Sequence, residues 1–190
     1  MLNDDDKPPM QPPARRRRLA QFALLGMSLC AIGAVAWASL RLGVPRWVYN
    51  PSDSVASGWY RVDSSEKAVR KASPGSLVLA WPPADAAALA AGRGYLPAGV
   101  PLLKRVGAVG PHFVCVIAAL VFIDGRPVAS LLGADRHARA LPSWRDCRCL
   151  RPDEVYLLNV SSPSSFDSRY FGPVPISALI GVAHPMRSGR

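Results

Sequence analysis

Histidine is scarce in this sequence. Only His112, His137 and His184 occur, and none sits in a Gly-x-Ser-x-Gly setting or another triad motif. A Ser-His-Asp hydrolase is therefore poorly supported, and a cysteine nucleophile has no His placed by a motif to activate it. Cysteine is scarce too, at Cys30, Cys115, Cys147 and Cys149. One Cys-x-Cys pair without a His cluster offers too few ligands for a zinc site. Acidic residues are outnumbered, 13 against 23 Lys and Arg, for a formal charge of +10. A balance this basic raises nucleic-acid binding. The arginines past the N-terminal tail are scattered, however, and no RRM, zinc-finger or helix-turn-helix pattern is present, so no nucleic-acid partner is expected. A basic domain is also drawn to an anionic membrane surface.

Helical-bundle composition is missing as well. The 19 Pro and 15 Gly point to many turns. The 49% hydrophobic share is enough for a sizeable core, in one domain of about 150 residues after the N-terminal region.

There is one long uncharged run. Residues 1–14 are acidic and then Pro-rich, a composition that predicts disorder. Arg15-Arg16-Arg17-Arg18 follows, and Leu19 to Leu40 then carries no charge. As a helix this run spans roughly 33 Å, against a hydrocarbon core of about 30 Å. The arginine block places the N-terminal side in the cytoplasm. The predicted organisation is a cytoplasmic disordered tail (1–18), a transmembrane anchor (19–40) and a periplasmic domain (41–190). A second reading stays open: Ala36-Trp37-Ala38 before Ser39 has the pattern of a signal cleavage site, which would release the domain into the periplasm.

Directly after this run comes Tyr49-Asn50-Pro51-Ser52-Asp53-Ser54-Val55-Ala56-Ser57-Gly58-Trp59-Tyr60. Taken alone, it is a turn rich in Pro, Ser, Asp and Gly. A lone Ser is a weak nucleophile and needs an adjacent base. Fifty residues on, residues 101–110 form an apolar strand pattern containing Lys104-Arg105. Adjacent strand residues face opposite ways, so one of these basic groups faces inward, although most lysines face out. A lysine acting as base near pH 7 must be neutral. Lowering its pKa from about 10.4 to 7 corresponds to roughly 4.6 kcal/mol, within the reach of desolvation among Leu102, Leu103, Val106 and Val109. A further Ser-x-x-Lys spacing, Ser64-Ser65-Glu66-Lys67, lacks Ser-Asp-Asn and Lys-Thr-Gly companions and reads as a surface turn.

Elsewhere, strands are predicted over 76–81, 154–160 and 178–183, with a short alanine-rich helix over 85–91. Residues 113–122 are apolar and β-branched, and Ile123-Asp124-Gly125 adds a turn signal, predicting a hairpin or meander. Residues 135–142 form a polar excursion. Near the C-terminus stands Ser165-Phe166-Asp167-Ser168-Arg169-Tyr170-Phe171-Gly172-Pro173.

In this order, the three segments resemble the type I signal peptidase family of Ser-Lys proteases, and within it the TraF-like peptidases of conjugative transfer systems. The Asn-x-Ser/Thr-x-Ser-x-Pro-x-Gly-x-Tyr pattern matches at Asn50, Ser52, Ser54, Gly58 and Tyr60 and departs at Ala56. The C-terminal box matches without a gap. The resemblance implies a mainly β, antiparallel, signal-peptidase-like domain on one N-terminal transmembrane helix. It implies Ser54 as nucleophile and Lys104 as general base. The Ser54 N–H, with the Ser52 hydroxyl or N–H, would form the oxyanion hole. Ser165 would hydrogen-bond the lysine, Asp167 would hold the site together, and Arg169 would pair with Asp167. It also implies a Cys115–Cys147 disulfide, leaving Cys149 odd. No cofactor or metal is called for. The implied activity is endopeptidase cleavage of exported precursors with small residues before the cut, in particular a conjugative pilin, at the periplasmic face of a bacterial inner membrane. The partners would be that precursor and membrane lipid. A housekeeping signal peptidase acting on many secreted preproteins is the near alternative. A non-catalytic assembly factor is the distant one, supported only by Ala56.

Overall fold

Leu77, Val78, Leu79 and Ala80 are apolar at every position, the pattern of a strand covered on both faces. In the computed structural model, which describes residues 14–40 and 46–186, this segment is β3 (Leu77–Ala80), at the middle of a seven-stranded sheet. Its side chains alternate between two cores. Leu77 and Leu79 pack with Val55, Tyr60, Val62, Leu103 and Ala183. Val78 and Ala80 pack with Val106, Val155, Leu157, Val174 and Leu179.

The sheet runs β1 (Trp47–Asn50), β2 (Gly58–Asp63), β11 (Leu179–Pro185), β3, β4 (Leu102–Val109), β9 (Glu154–Leu157) and β10 (Val174–Pro175). Every pairing in it is antiparallel. A four-stranded sheet runs β7 (Arg126–Ser130), β6 (Leu120–Ile123), β5 (Phe113–Ile117) and β8 (Cys147–Cys149), again antiparallel. The mainly β, antiparallel fold expected from the sequence is the fold observed.

β4 joins two parts of the large sheet. Its first half pairs with β3, setting Lys104 opposite Val78. Its second half pairs with β9, after a register shift between Val106 and Ala108. Gly107 lies at that shift, where a Cβ would come within 2.8 Å of the Leu158 Cβ. A side chain there would push β4 off the 154–158 segment.

Residues 113–122 fold as two strands. Ala118 and Ala119 turn the chain with φ of 49° and 61°, and Asp124-Gly125 turns it again with φ of 49° and 76°. The second turn has the expected sequence. The first places two alanines in the left-handed region, at a cost of roughly 1–2 kcal/mol each. Cys115 and Cys147 face each other in the β5–β8 register and are disulfide-bonded; Cys149 is free and exposed.

Two local expectations are corrected. Residues 66–70 form a short exposed helix, α2 (Glu66–Arg70), not a turn, because the Ser65 hydroxyl accepts the Ala68 N–H at 3.2 Å and caps it. The strand predicted over 154–160 stops at Leu157, where side chains of the C-terminal box take over its hydrogen bonding. The predicted alanine-rich helix is α3 (Ala84–Gly92), which turns Ala86 and Ala90 toward Phe166 and Tyr170.

The chain divides into two units, Met1–Gly43 and Val44–Arg190, and all the strands belong to the second. The first contains α1 (Ala14–Leu40). Phe22, Leu24, Leu25, Met27, Leu29 and Ile32 are all exposed on it, so its apolar residues do not form a single stripe. Among the described residues no helix is long and apolar enough to cross a membrane, and the anchor reading of 19–40 rests on the sequence. Residues 1–13 of the predicted tail lie outside the described residues. From Ala14 onward the chain is helical, so Arg15 to Arg18 belong to α1. The cleavage-site reading falls within this helix, where the side chains at 36, 38 and 39 lie outside the described ones.

Candidate active site

The β1–β2 connection is organised by one side chain. Asn50, at the end of β1, is buried. Its amide nitrogen donates to the carbonyls of Ser52 at 2.8 Å, Val55 at 2.9 Å and Ala56 at 3.2 Å. Its amide oxygen accepts the Ser52 N–H at 3.2 Å and the Ser52 hydroxyl at 2.8 Å. Tyr60 donates its hydroxyl to the Ala56 carbonyl at 2.5 Å, and Val55 plugs the loop into the core. Residues 51–57 are thereby folded tightly back on the strand they leave. Ser54 stands on this loop with its Oγ 2.9 Å from the Ser52 Oγ. Among the described residues, no acceptor is seen for the Ser54 N–H.

Lys104 comes from β4, on the same face as Leu102 and Val106. It is 5% exposed, whereas its neighbour Arg105 is exposed. Its amine donates to the Ser165 hydroxyl at 2.6 Å. Burial lowers its pKa to about 8; the Asp167 carboxylate works against this fall and the Arg169 guanidinium adds to it.

Behind Lys104 lies the box. Asp167 is fully buried and caps α4 (Ser168–Phe171). Its Oδ1 accepts the Arg169 N–H at 3.2 Å and Nε at 2.8 Å. Its Oδ2 accepts Nη2 of Arg169 at 2.9 Å and the Asn159 N–H at 3.1 Å. This is the planar fork that arginine makes with a carboxylate. Arg169 goes on to the carbonyls of Ser130 at 2.9 Å, Ser162 at 3.0 Å and Ser165 at 3.1 Å. It thus ties down the loop that presents Ser165. The Ser168 hydroxyl accepts the Leu157 N–H at 2.9 Å, fastening α4 to β9. Gly172 ends α4 at φ +81°, with Trp144 so close that a Cβ would lie 2.6 Å from its ring. The Phe-Gly-Pro sequence therefore answers both a backbone and a steric demand.

The two sides meet in one cleft of about 650 Å³, whose lining includes Ser52, Ser54, Lys104 and Ser165 together with Leu96, Leu132 and Leu141. Ser54 and Lys104 do not hydrogen-bond each other; each is engaged with its own neighbouring serine. The far walls are the residues after α3 and the excursion after β7. These are joined by the Tyr95 hydroxyl on Asp135, Arg139 Nη2 on the Arg93 carbonyl at 3.2 Å, and Arg93 on the Ala140 carbonyl at 2.8 Å. Among the described residues, no group of three His, Cys, Asp or Glu side chains is placed to hold a metal ion.

Sequence reasoning assigned no role to Asn50 or to the Tyr95–Asp135 contact. An Asn two residues before a Ser in a turn was a usable signal, because its side chain commonly bonds backbone groups just ahead. Nothing in the sequence pairs Tyr95 with Asp135.

A family model described as signal peptidase, peptidase S26, matches residues 19–186. The chain belongs to this peptidase S26 family. Among its relatives, a conjugal transfer protein TraF of Agrobacterium tumefaciens is 35% identical over 180 residues, covering 90% of this chain and 97% of that protein. A probable conjugal transfer protein TraF of Sinorhizobium fredii is 34% identical over 180 residues, covering 88% and 90%. A plasmid transfer protein TraF of Escherichia coli is 31% identical over 185 residues, covering 91% and 98%. A crystal structure of a signal peptidase I from Enterococcus faecalis aligns over 57% of this chain and 93% of that one, at 16% identity and a TM-score of 0.33, a likeness too slight to carry an argument. Within the S26 match fall Ser52 and Ser54 of the β1–β2 loop, Lys104 and the whole C-terminal box.

Proposed function

We propose that this chain is a serine endopeptidase in which Ser54 is the nucleophile and Lys104 the general base. The observation that carries the reading is the Lys104 amine: buried, with a pKa lowered to about 8, and lining one cleft with the Ser54 hydroxyl. With that pKa, about a tenth of the lysines are neutral at pH 7, enough for a base that takes a serine proton.

The Ser54 hydroxyl turns from Ser52 toward Lys104 and attacks the scissile carbonyl as Lys104 takes its proton. The Ser54 N–H and the Ser52 hydroxyl receive the oxyanion. Lys104 then gives its proton to the leaving amine, and water, deprotonated by Lys104 in turn, hydrolyses the acyl-enzyme. Ser165 aims the amine throughout. Asp167 and Arg169 hold Ser165 in place.

The proposed substrate is an exported precursor, in particular a conjugative pilin, cut at the outer face of the inner membrane. The transfer proteins among the relatives support the conjugative setting. The arginine block and uncharged run of 15–40 support a single-pass anchor with the N-terminus in the cytoplasm and the domain in the periplasm. The test is co-expression with the pilin precursor of the same transfer system and with unrelated secreted precursors. We expect the pilin precursor alone to be cut, and Ser54→Ala and Lys104→Ala each to abolish the cut while the domain still folds. Full cleavage by either variant overturns the dyad; equal cutting of the unrelated precursors overturns the pilin assignment.

A further inference from the structure

Protons can be counted along the chain Asn50–Ser52–Ser54. The Asn50 nitrogen faces three carbonyl oxygens, so its orientation is set by the hydrogen bonds around it. The other end is therefore the oxygen, which can only accept. The Ser52 Oγ lies 2.8 Å from it, so the single Ser52 proton points at Asn50. The 2.9 Å contact between Ser52 and Ser54 must then use the Ser54 proton. The Ser52 N–H is likewise taken by the Asn50 oxygen. Of the donors implied for the oxyanion hole, the Ser54 N–H has no acceptor among the described residues, the Ser52 hydroxyl is held but exchangeable, and the Ser52 N–H is occupied.

This changes what the Ser52 hydroxyl does for a bound substrate. A neutral carbonyl is no better an acceptor than the neutral amide oxygen already in place, so the hydroxyl gains nothing by leaving Asn50. A developing oxyanion is different, since a charge-assisted hydrogen bond is roughly twice as strong as a neutral one. From these contacts, and resting on the Ser54–Lys104 reading above, we infer that Asn50 is a positioning residue: it holds the Ser52 hydroxyl back from the neutral scissile carbonyl and releases it only to the charged oxygen of the tetrahedral intermediate. An interaction made only in the transition state raises kcat without tightening substrate binding. The same contact turns the resting Ser54 proton toward Ser52, so the nucleophile is not primed on Lys104 until substrate enters.

The test is a double-mutant cycle on the full-length protein in detergent. The probe is an internally quenched peptide with Ala on the acyl side of its scissile bond. Asn50→Asp keeps an acceptor for Ser52 but gives it a charge, so it grips the hydroxyl about as well as the oxyanion does. Expected is a kcat about tenfold lower with KM within about twofold. With Ser52→Ala in place, the same Asn50→Asp change should cost at least about threefold less in kcat than it does in the parent protein, because only the loss of the Asn50 nitrogen contacts to the loop carbonyls then remains. An equal loss in both backgrounds, or a loss in KM, overturns the inference and leaves Asn50 as a loop brace.

Should Asn50→Asp fail to fold, Ser52→Ala alone decides. It should weaken the matching peptide trifluoromethyl ketone, whose electron-poor hemiketal with Ser54 gives up its proton and is held as an oxyanion, by about 30-fold while the KM of the cleavable peptide stays within about twofold. Equal weakening of both overturns the inference. Retained cleavage by Ser54→Ala would instead bring down the peptidase reading itself, whatever the Asn50 variants do.

Discussion

The two sides of the cleft are built in opposite ways. The side of the proposed nucleophile is a tight loop at the end of an edge strand, with Ser52 exposed and Ser54 half-buried. The side of the proposed base is packed, with Lys104 at 5%, Arg169 at 1% and Asp167 at 0% exposure. The proposed chemistry requires this difference. A serine hydroxyl is uncharged and must meet substrate, so it can stand near water. A lysine is a base near neutral pH only where water is excluded, and excluding water from a cation costs stability. The loop is therefore held by polar contacts within a few residues. The base is held by a buried ion pair that draws on the carbonyls of Ser162 and Ser165 nearby and of Ser130, 39 residues away.

The contrast can be broken at four points. Removing Asp167 as Asp167→Ala leaves Arg169 buried and unpaired, and should destabilise the domain by about 3–5 kcal/mol and cut activity with it; thermal and urea unfolding check this. If the fold is unaffected, the ion pair is not what secures the base side.

Lys104→Met should do the reverse, abolishing cleavage while raising stability by about 3 kcal/mol at pH 7, from the fall in pKa from 10.5 to about 8. The sign follows from proton counting. Between pH 8 and 10.5 the unfolded chain binds the lysine proton and the native state does not, so native stability rises with pH across that window and is lowest below it. The gap between Lys104→Met and the parent protein should close over the same window. A constant gap would mean that Lys104 is not buried as a cation.

For catalysis, kcat/KM should rise about tenfold per pH unit below pH 8 and level off above it. A profile already flat at pH 7 would rule out Lys104 as the base. Smallest in stability terms is Ser54→Ala, expected to shift unfolding by no more than about 0.5 kcal/mol while removing activity. Destabilisation as large as that of Asp167→Ala would erase the distinction between the two sides.

Much of the architecture could be read before any coordinates. Leu77 to Ala80 and Leu102 to Val109 are strands because their apolar patterns permit little else, and Asp124-Gly125 turns because both residues tolerate positive φ. The Ala118-Ala119 turn was hidden, since alanine carries no turn signal and is held in place there by the paired strands on either side. From the residues alone, Lys104 and Arg105 were an undecided pair in a strand, one in and one out, and only the resemblance pointed to Lys104. The helix at Glu66 was missed because one Ser65 cap is a weak signal in a polar stretch.

What the sequence determined by itself is the set of local devices: the Asn-x-Ser-x-Ser loop, the apolar strand carrying a lysine, and a box whose Asp and Arg lie two residues apart and so can pair within one turn. These depend on backbone preference and short separations, which neighbouring residues control. What only the tertiary structure decided is which amine is dry and what it touches. Lys104 meets a serine 61 residues away, and its pKa falls because segments remote in the chain close over it. Desolvation depends on everything packed around a group, so it exists only after the chain has folded.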